Sequence, residues 1–173
     1  LEPGLDETGY WDPPGISFPN GCHICEVEID RDTGVMNIAS FVSVDDFGNI
    51  VNPMMVSGQV HGGIVQGLGQ AIHEHCVYDE ATGQLTTGSF MDYAMPKAHD
   101  FCNIEVKANP VPTKTNPLGV KGAGEAGTVG SMPAVANAVI DALSVYGIRD
   151  IDMPATPEKV WRAIRDAKAR VGA

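Results

Sequence analysis

Hydrophobic and polar positions alternate with period two over Cys22 to Asp30 and Val35 to Val44. Val27 and Ile29, then Met36 and Ile38, are separated by polar or small residues, as on a half-buried strand. Between the runs, Arg31-Asp32-Thr33-Gly34 has turn composition with a late glycine, so the pair is expected to form a β-hairpin. A second hairpin is expected over 77–87 around Asp79-Glu80-Ala81-Thr82-Gly83. Ser89 to Pro96 is expected to be extended with Tyr93 buried, and Phe101 to Lys107 to form a further short strand.

The period changes to 3.6 at Asn52-Pro53, a cap residue followed by a first-turn proline. At 100° per residue, Val60, Ile64, Leu68, Ala71 and Ile72 share one side of a helix running to about Cys76. Gln59, Gly63, Gln66, Gln70 and His73 share the opposite side, which carries no Lys, Arg, Asp or Glu. A solvent face normally carries such residues. The same helix holds Gly58, Gly62, Gly63, Gly67 and Gly69. Each costs about 0.5–1 kcal/mol relative to alanine, so close approach by another backbone or by a ligand is expected. Amides on one face can hydrogen-bond either neighbouring protein backbone or a polar non-protein partner.

Two more helices are expected. Pro133 to Tyr146 places Val135, Ala138, Val139, Ala142, Leu143 and Tyr146 on one side, Asn137, Asp141 and Ser144 on the other, and ends at Gly147. The last begins Thr156-Pro157-Glu158 and buries Val160, Trp161, Ile164, Ala167 and Val171, with Arg and Lys loading its C-terminal half. Residues 1–20, rich in Pro, Gly and acids, form an extended arm; residues 21–173 form one domain. The fold class is α+β: β-hairpins and short mixed strands packed with a Gly-rich helix and two C-terminal helices.

The candidate chemistry lies in Gly119 to Gly130, GVKGAGEAGTVG, with five glycines in twelve residues. A loop this rich in glycine permits close approach to the main chain. Glu125, just ahead of a helix start whose free N–H groups favour negative charge, suits a general base. The bland alternative is a connector with an exposed glutamate. Gly122, Gly124 and Gly127 spell the dinucleotide fingerprint, but the preceding PVPTKTNP is poor strand material and no βαβ unit has room to follow.

Other motifs read as structural. Cys22 and Cys25 stand three apart on a strand and point to opposite faces, so they do not clamp one metal. His73 and His75 cannot share a metal on a helix. Asp45-Asp46 after a strand is expected to be a solvated turn.

The net charge of −11, from 22 acidic and 11 basic residues, argues against nucleic acid and anionic membrane partners. No uninterrupted apolar run approaches 18 residues, so no membrane span is expected. No signal-peptide pattern opens the chain, and a cytoplasmic location is expected.

In order, Asn52-Pro53, Gly58-Gln59-Val60-His61-Gly62, Gln66-Gly67-Leu68-Gly69, Asp92-Tyr93-Ala94-Met95-Pro96, Lys121-Gly122-Ala123-Gly124-Glu125 and Pro133 to Ala138 resemble the molybdenum-binding large subunit of the xanthine oxidase family. The carbon monoxide dehydrogenase large-subunit type is the nearest in look. The resemblance covers roughly residues 20–165 and corresponds to the C-terminal part of such a subunit. It implies a molybdenum hydroxylase that oxidises an aldehyde, N-heterocycle or similar small substrate, with Glu125 as the general base. It implies a molybdopterin cytosine dinucleotide cofactor held through its pterin, with Gln59, Lys121, Gly122, Ala123 and Gly124 in contact. It also implies the rest of the large subunit, with iron–sulfur and flavin partners on other domains or chains. The isolated chain is then expected to be inactive, to hold little cofactor and to self-associate. The rival reading is a non-catalytic fragment or paralogue that only binds a partner.

Overall fold

The computed structural model describes residues 4–101 and 103–171, so Cys102 and the side chain of Val171 lie outside the described set. β1 (Asn20–Ile29) and β2 (Met36–Asp46) form the expected antiparallel hairpin, with a bulge at Glu26/Val27. β3 (Ile104–Ala108) adds to β2 in parallel, giving a sheet of order β1-β2-β3. Gly34 closes the hairpin at φ +74°, a left-handed conformation that glycine adopts without cost. The same residue pins the hairpin to the last helix, because a Cβ there would run into the carbonyl oxygen of Pro157.

α1 (Pro53–Ile72) starts as the pattern predicts, with the Asn52 side chain accepting from Met55 N at 3.1 Å. It buries Val60, Ile64, Leu68, Ala71 and Ile72 against Phe41, Phe47 and Val135 in one core. Gly63 and Gly67 meet the next helix, α2 (Ala126–Leu143). A methyl on Gly63 would lie 3.0 Å from Thr128 N and 3.1 Å from Gly127 Cα. The reciprocal residue, Gly127, leaves no room for a Cβ beside the Val60 carbonyl, and such a carbon would lie 2.8 Å from Ile64 N. Glycines on both partners thus let the two backbones approach closely.

α2 begins seven residues before Pro133, the expected start. The proline lacks an N–H and fits a first turn, but here it sits inside the helix. Gly127 and Gly130 therefore belong to the helix and not to the loop. Continued through the 3₁₀ turn Ser144–Tyr146, the stretch Ala126–Tyr146 spans 21 residues and is long and apolar enough by composition to cross a bilayer. Counting only uninterrupted apolar runs overlooked it, because Asn137 and Asp141 interrupt the sequence. One side of it packs on α1 and β1.

Three other expectations are corrected. Ser89 to Pro96 is a series of turns, closed by Asp92 N and Tyr93 N donating to Ser89 O. Tyr93 is half-buried, and its hydroxyl donates to Glu74 at 2.6 Å. The second hairpin keeps its turn and main-chain bonds but reduces to a single bridge, Tyr78 to Leu85. In α3 (Pro157–Val171), Val160, Ile164 and Ala167 are buried as expected, whereas Trp161 lies at the rim, 36% exposed, under the Arg165 guanidinium.

Candidate functional site

The glycine loop is held by main-chain pairing and by one buried ion pair. Gly48 and Val120 form an antiparallel bridge, with Lys121 N donating to Phe47 O at 2.9 Å and Asn49 N to Gly119 O at 3.0 Å. Gly48 (φ +62°) and Gly119 (φ +66°) take left-handed backbone, and a Cβ on Gly48 would collide with the Gly119 carbonyl. Asn116 braces the loop from within, accepting from Val120 N and donating to Val120 O.

Asp45 and Asp46 are buried, not a solvated turn. Successive strand residues face opposite ways, so each has its own partner. Asp46 accepts from Lys121 Nζ at 2.5 Å, Gly48 N at 2.8 Å and Val111 N at 2.8 Å. The Lys121 ammonium, then the two backbone N–H groups, hold its carboxyl down at about 2. A carboxyl depressed in the folded state stabilises fully above its unfolded value near 4 and loses that contribution as pH falls through about 2. In the complete protein, amides 116–124 should therefore be protected from hydrogen exchange above about pH 4 and lose protection toward pH 2. Asp46→Asn should expose them at neutral pH; unchanged exchange in that variant would show that the pair does not hold the loop.

On the other face, Asp45 Oδ1 lies 3.1 Å from His23 Nε2, and both side chains are buried. The pattern puts Asp45 in a solvated turn and gives His23 no role of its own. The available signal was an adjacent acid pair at the end of a strand, where alternation must send one carboxylate to each face.

Beyond the loop, the Gly124 carbonyl accepts from Gln59 Nε2 at 3.2 Å. Glu125 follows as the N-cap of α2 (φ −108°, ψ −10°), exposed and making no capping bond with its side chain. The structure thus brings Gln59, Gly124 and Glu125 together. Gly122 and Gly124 are exposed, Ala123 packs on the core, and the Lys121 ammonium is engaged by Asp46. Glu125 also borders a cleft of about 520 Å³ between the start of β1 and the first turns of α2.

Two glycines of α1 have no packing reason within this fold. A Cβ on Gly58 or Gly62 meets nothing within 4 Å. With exposed Gln59 and Gln66 they occupy an arc of roughly 100° beside the N-terminus of α2. Bare main chain, side-chain amides and a helix start suit an extended group rich in hydrogen-bonding atoms. Among the described residues no group of three or more His, Cys, Asp or Glu is placed to hold a metal ion directly.

These features define an α+β unit with a bare, amide-lined edge where two helices meet. The chain belongs to the family of molybdopterin cofactor-binding domains, whose model matches residues 1–102. It is 38% identical over 166 residues, 96% of its length, to the carbon monoxide dehydrogenase large chain of Hydrogenophaga pseudoflava. It is 44% identical over 165 residues, 95% of its length, to the nicotine 6-hydroxylase large subunit of Paenarthrobacter nicotinovorans. It covers 20% of each of these relatives, so the chain spans about a fifth of their length. Reconstituted CO dehydrogenase from Oligotropha carboxidovorans has the same fold, with a TM-score of 0.90 and 36% identity across 98% of this chain and 21% of that one.

Proposed function

We propose that the complete protein is a molybdenum hydroxylase, oxidising an aldehyde, an N-heterocycle or a similar small molecule, and that Glu125 is its general base. The observation that carries this is the Gln59–Gly124 bond, which joins the amide face of α1 to the residue preceding Glu125. The bond sets the residue before Glu125 against the bare, amide-lined edge.

A molybdopterin cofactor in its cytosine dinucleotide form would supply a redox-active metal centre that takes electrons from the substrate. Gln59 and the main chain of Gly122, Ala123 and Gly124 would hold it, with Lys121 fixing the loop through Asp46. The fit rests on Gly58, Gly62 and Gly124, where an added Cβ meets nothing and the main chain is open to a partner. Glu125 contributes the proton-accepting carboxylate, at a helix start that favours negative charge. The remaining four-fifths of a large subunit complete the site, and iron–sulfur and flavin partners carry electrons away. Exposed Tyr10, Trp11 and Phe18 on the arm suit burial against that remainder.

Metal and pterin analysis of the complete protein tests the placement of the cofactor. Gln59→Ala should lower molybdenum occupancy, while Glu125→Gln should leave it unchanged. Full occupancy in Gln59→Ala would remove the amide face from the site.

A further inference from the structure

The three-stranded sheet is packed on one face only. Cys25, Val27, Ile29, Ile104 and Val106 lie against the core, on the side where α2 meets β1 and α1 meets β3. Strand alternation sends Ile24, Val42 and Val44 to the opposite face. None of these three joins the core, and Ile24 and Val44 are 64% and 36% exposed. Ile24 stands directly across from Val42, while Val42 and Val44 face Glu105 and Lys107 on β3. The N-terminal arm does not cover this face, because Phe18 and Pro19 border the cleft beside α2 on the packed side.

An antiparallel pair tolerates one wet face, but that face then reads polar, and a parallel pair is normally covered on both. Here an apolar patch lies on the open face of a sheet whose β2–β3 ladder is parallel. Its far rim is closed by the Glu105–Lys107 ion pair at 2.9 Å. Along β1 the same face continues into exposed Glu26 and Glu28, and neither is in an ion pair among the described residues. The outer strands of a three-stranded sheet are roughly 10 Å apart, about the diameter of one α-helix with its side chains. One helix is therefore enough to cover the patch. The chain spans about a fifth of its relatives' length, so a subunit of that length has ample chain to supply it.

We propose that a helix from the remainder of the same large subunit lies across this face, with its apolar side on Ile24, Val42 and Val44 and with Lys or Arg beside Glu26 and Glu28. The proposal rests on this chain being part of a longer subunit and not on the role of Glu125.

The test uses the complete protein carrying Ile24→Cys, with maleimide labelling of the introduced thiol followed by peptide mapping. The thiol should react at least about a hundred-fold more slowly than in the same protein unfolded in guanidinium, as a site exposed only by local opening does. Adding Glu26→Lys and Glu28→Lys should speed its labelling by at least about three-fold, through lost ion pairs and like-charge repulsion. In a separate sample, p-benzoylphenylalanine in place of Lys107, at the exposed rim, should cross-link to a peptide of the same subunit outside these 173 residues. That peptide should carry apolar residues at helical spacing with Lys or Arg alongside. Labelling as fast as in the unfolded protein would show the face to be open and overturn the proposal. So would shielding that disappears on dilution, which points to a second copy, shielding unmoved by the charge reversal, or cross-links confined to this unit or to another chain. None of these readouts involves turnover or molybdenum, so they stand or fall apart from the assignment of the base.

Discussion

Glu125→Gln should lower turnover per molybdenum atom by about 10²- to 10⁴-fold, the usual worth of a positioned general base. The amide matches the carboxylate in size but cannot accept a proton at neutral pH. The substitution should cost little else. Glu125 is exposed, makes no side-chain capping bond and packs in no core, so the loop, α2 and the Gln59–Gly124 bond all remain. Turnover is checked against molybdenum content measured on the same sample, which separates lost chemistry from lost cofactor.

Gly127→Ala should be strongly damaging for a single methyl, destabilising by roughly 3 kcal/mol in denaturant unfolding. The added carbon meets the Val60 carbonyl and, at 2.8 Å, Ile64 N, which are main-chain atoms in the middle of a helix. They cannot rotate away as a side chain would, so α1 and α2 must separate. The consequence reaches the site, because Gly127 is two residues beyond Glu125, and molybdenum occupancy should fall as well. Gly62→Ala is the contrast. There the methyl meets nothing in this chain, and removing a helix-interior glycine should stabilise the fold by about 0.5–1 kcal/mol. In the cofactor-loaded protein the same methyl should hinder binding if that edge holds the cofactor.

Much of this architecture was legible in the chain because local and tertiary signals agree. The Asn52-Pro53 start, the turn at Gly34, the stop at Gly147 and the Thr156-Pro157-Glu158 start each use residues whose backbone chemistry admits little else, and each stands where it was expected. Close approach by another part of this chain holds for some of the α1 glycines and not others, and sequence could not divide them. Gly63 and Gly67 face α2, while Gly58 and Gly62 face outward, a split that depends on where a second helix lands.

The start of α2 was missed for a related reason. Ala126 to Met132 contains two glycines and precedes a proline, all unfavourable to a helix locally, yet packing against Val60 and His23 overrides propensity. Asp45 and Asp46 were misplaced because their partners, His23 and Lys121, stand 22 and 75 residues away. Tyr93 reads as a core aromatic from its neighbours, and only the nearby Glu74 explains why it stays half-exposed. At the site, Glu125, Gln59 and Gly124 were named from composition and resemblance, and the fold sets them side by side. The His23–Asp45 dyad carried no local mark beyond strand alternation.

The most direct measurement is a single distance in a structure of the complete, cofactor-loaded protein, from the Glu125 carboxylate to the nearest non-pterin group of the metal centre. A base in place lies within hydrogen-bond reach, about 2.6–3.2 Å, or one water away. A Glu125 carboxylate turned to bulk solvent, with the metal centre on another face of the subunit, would contradict the assignment.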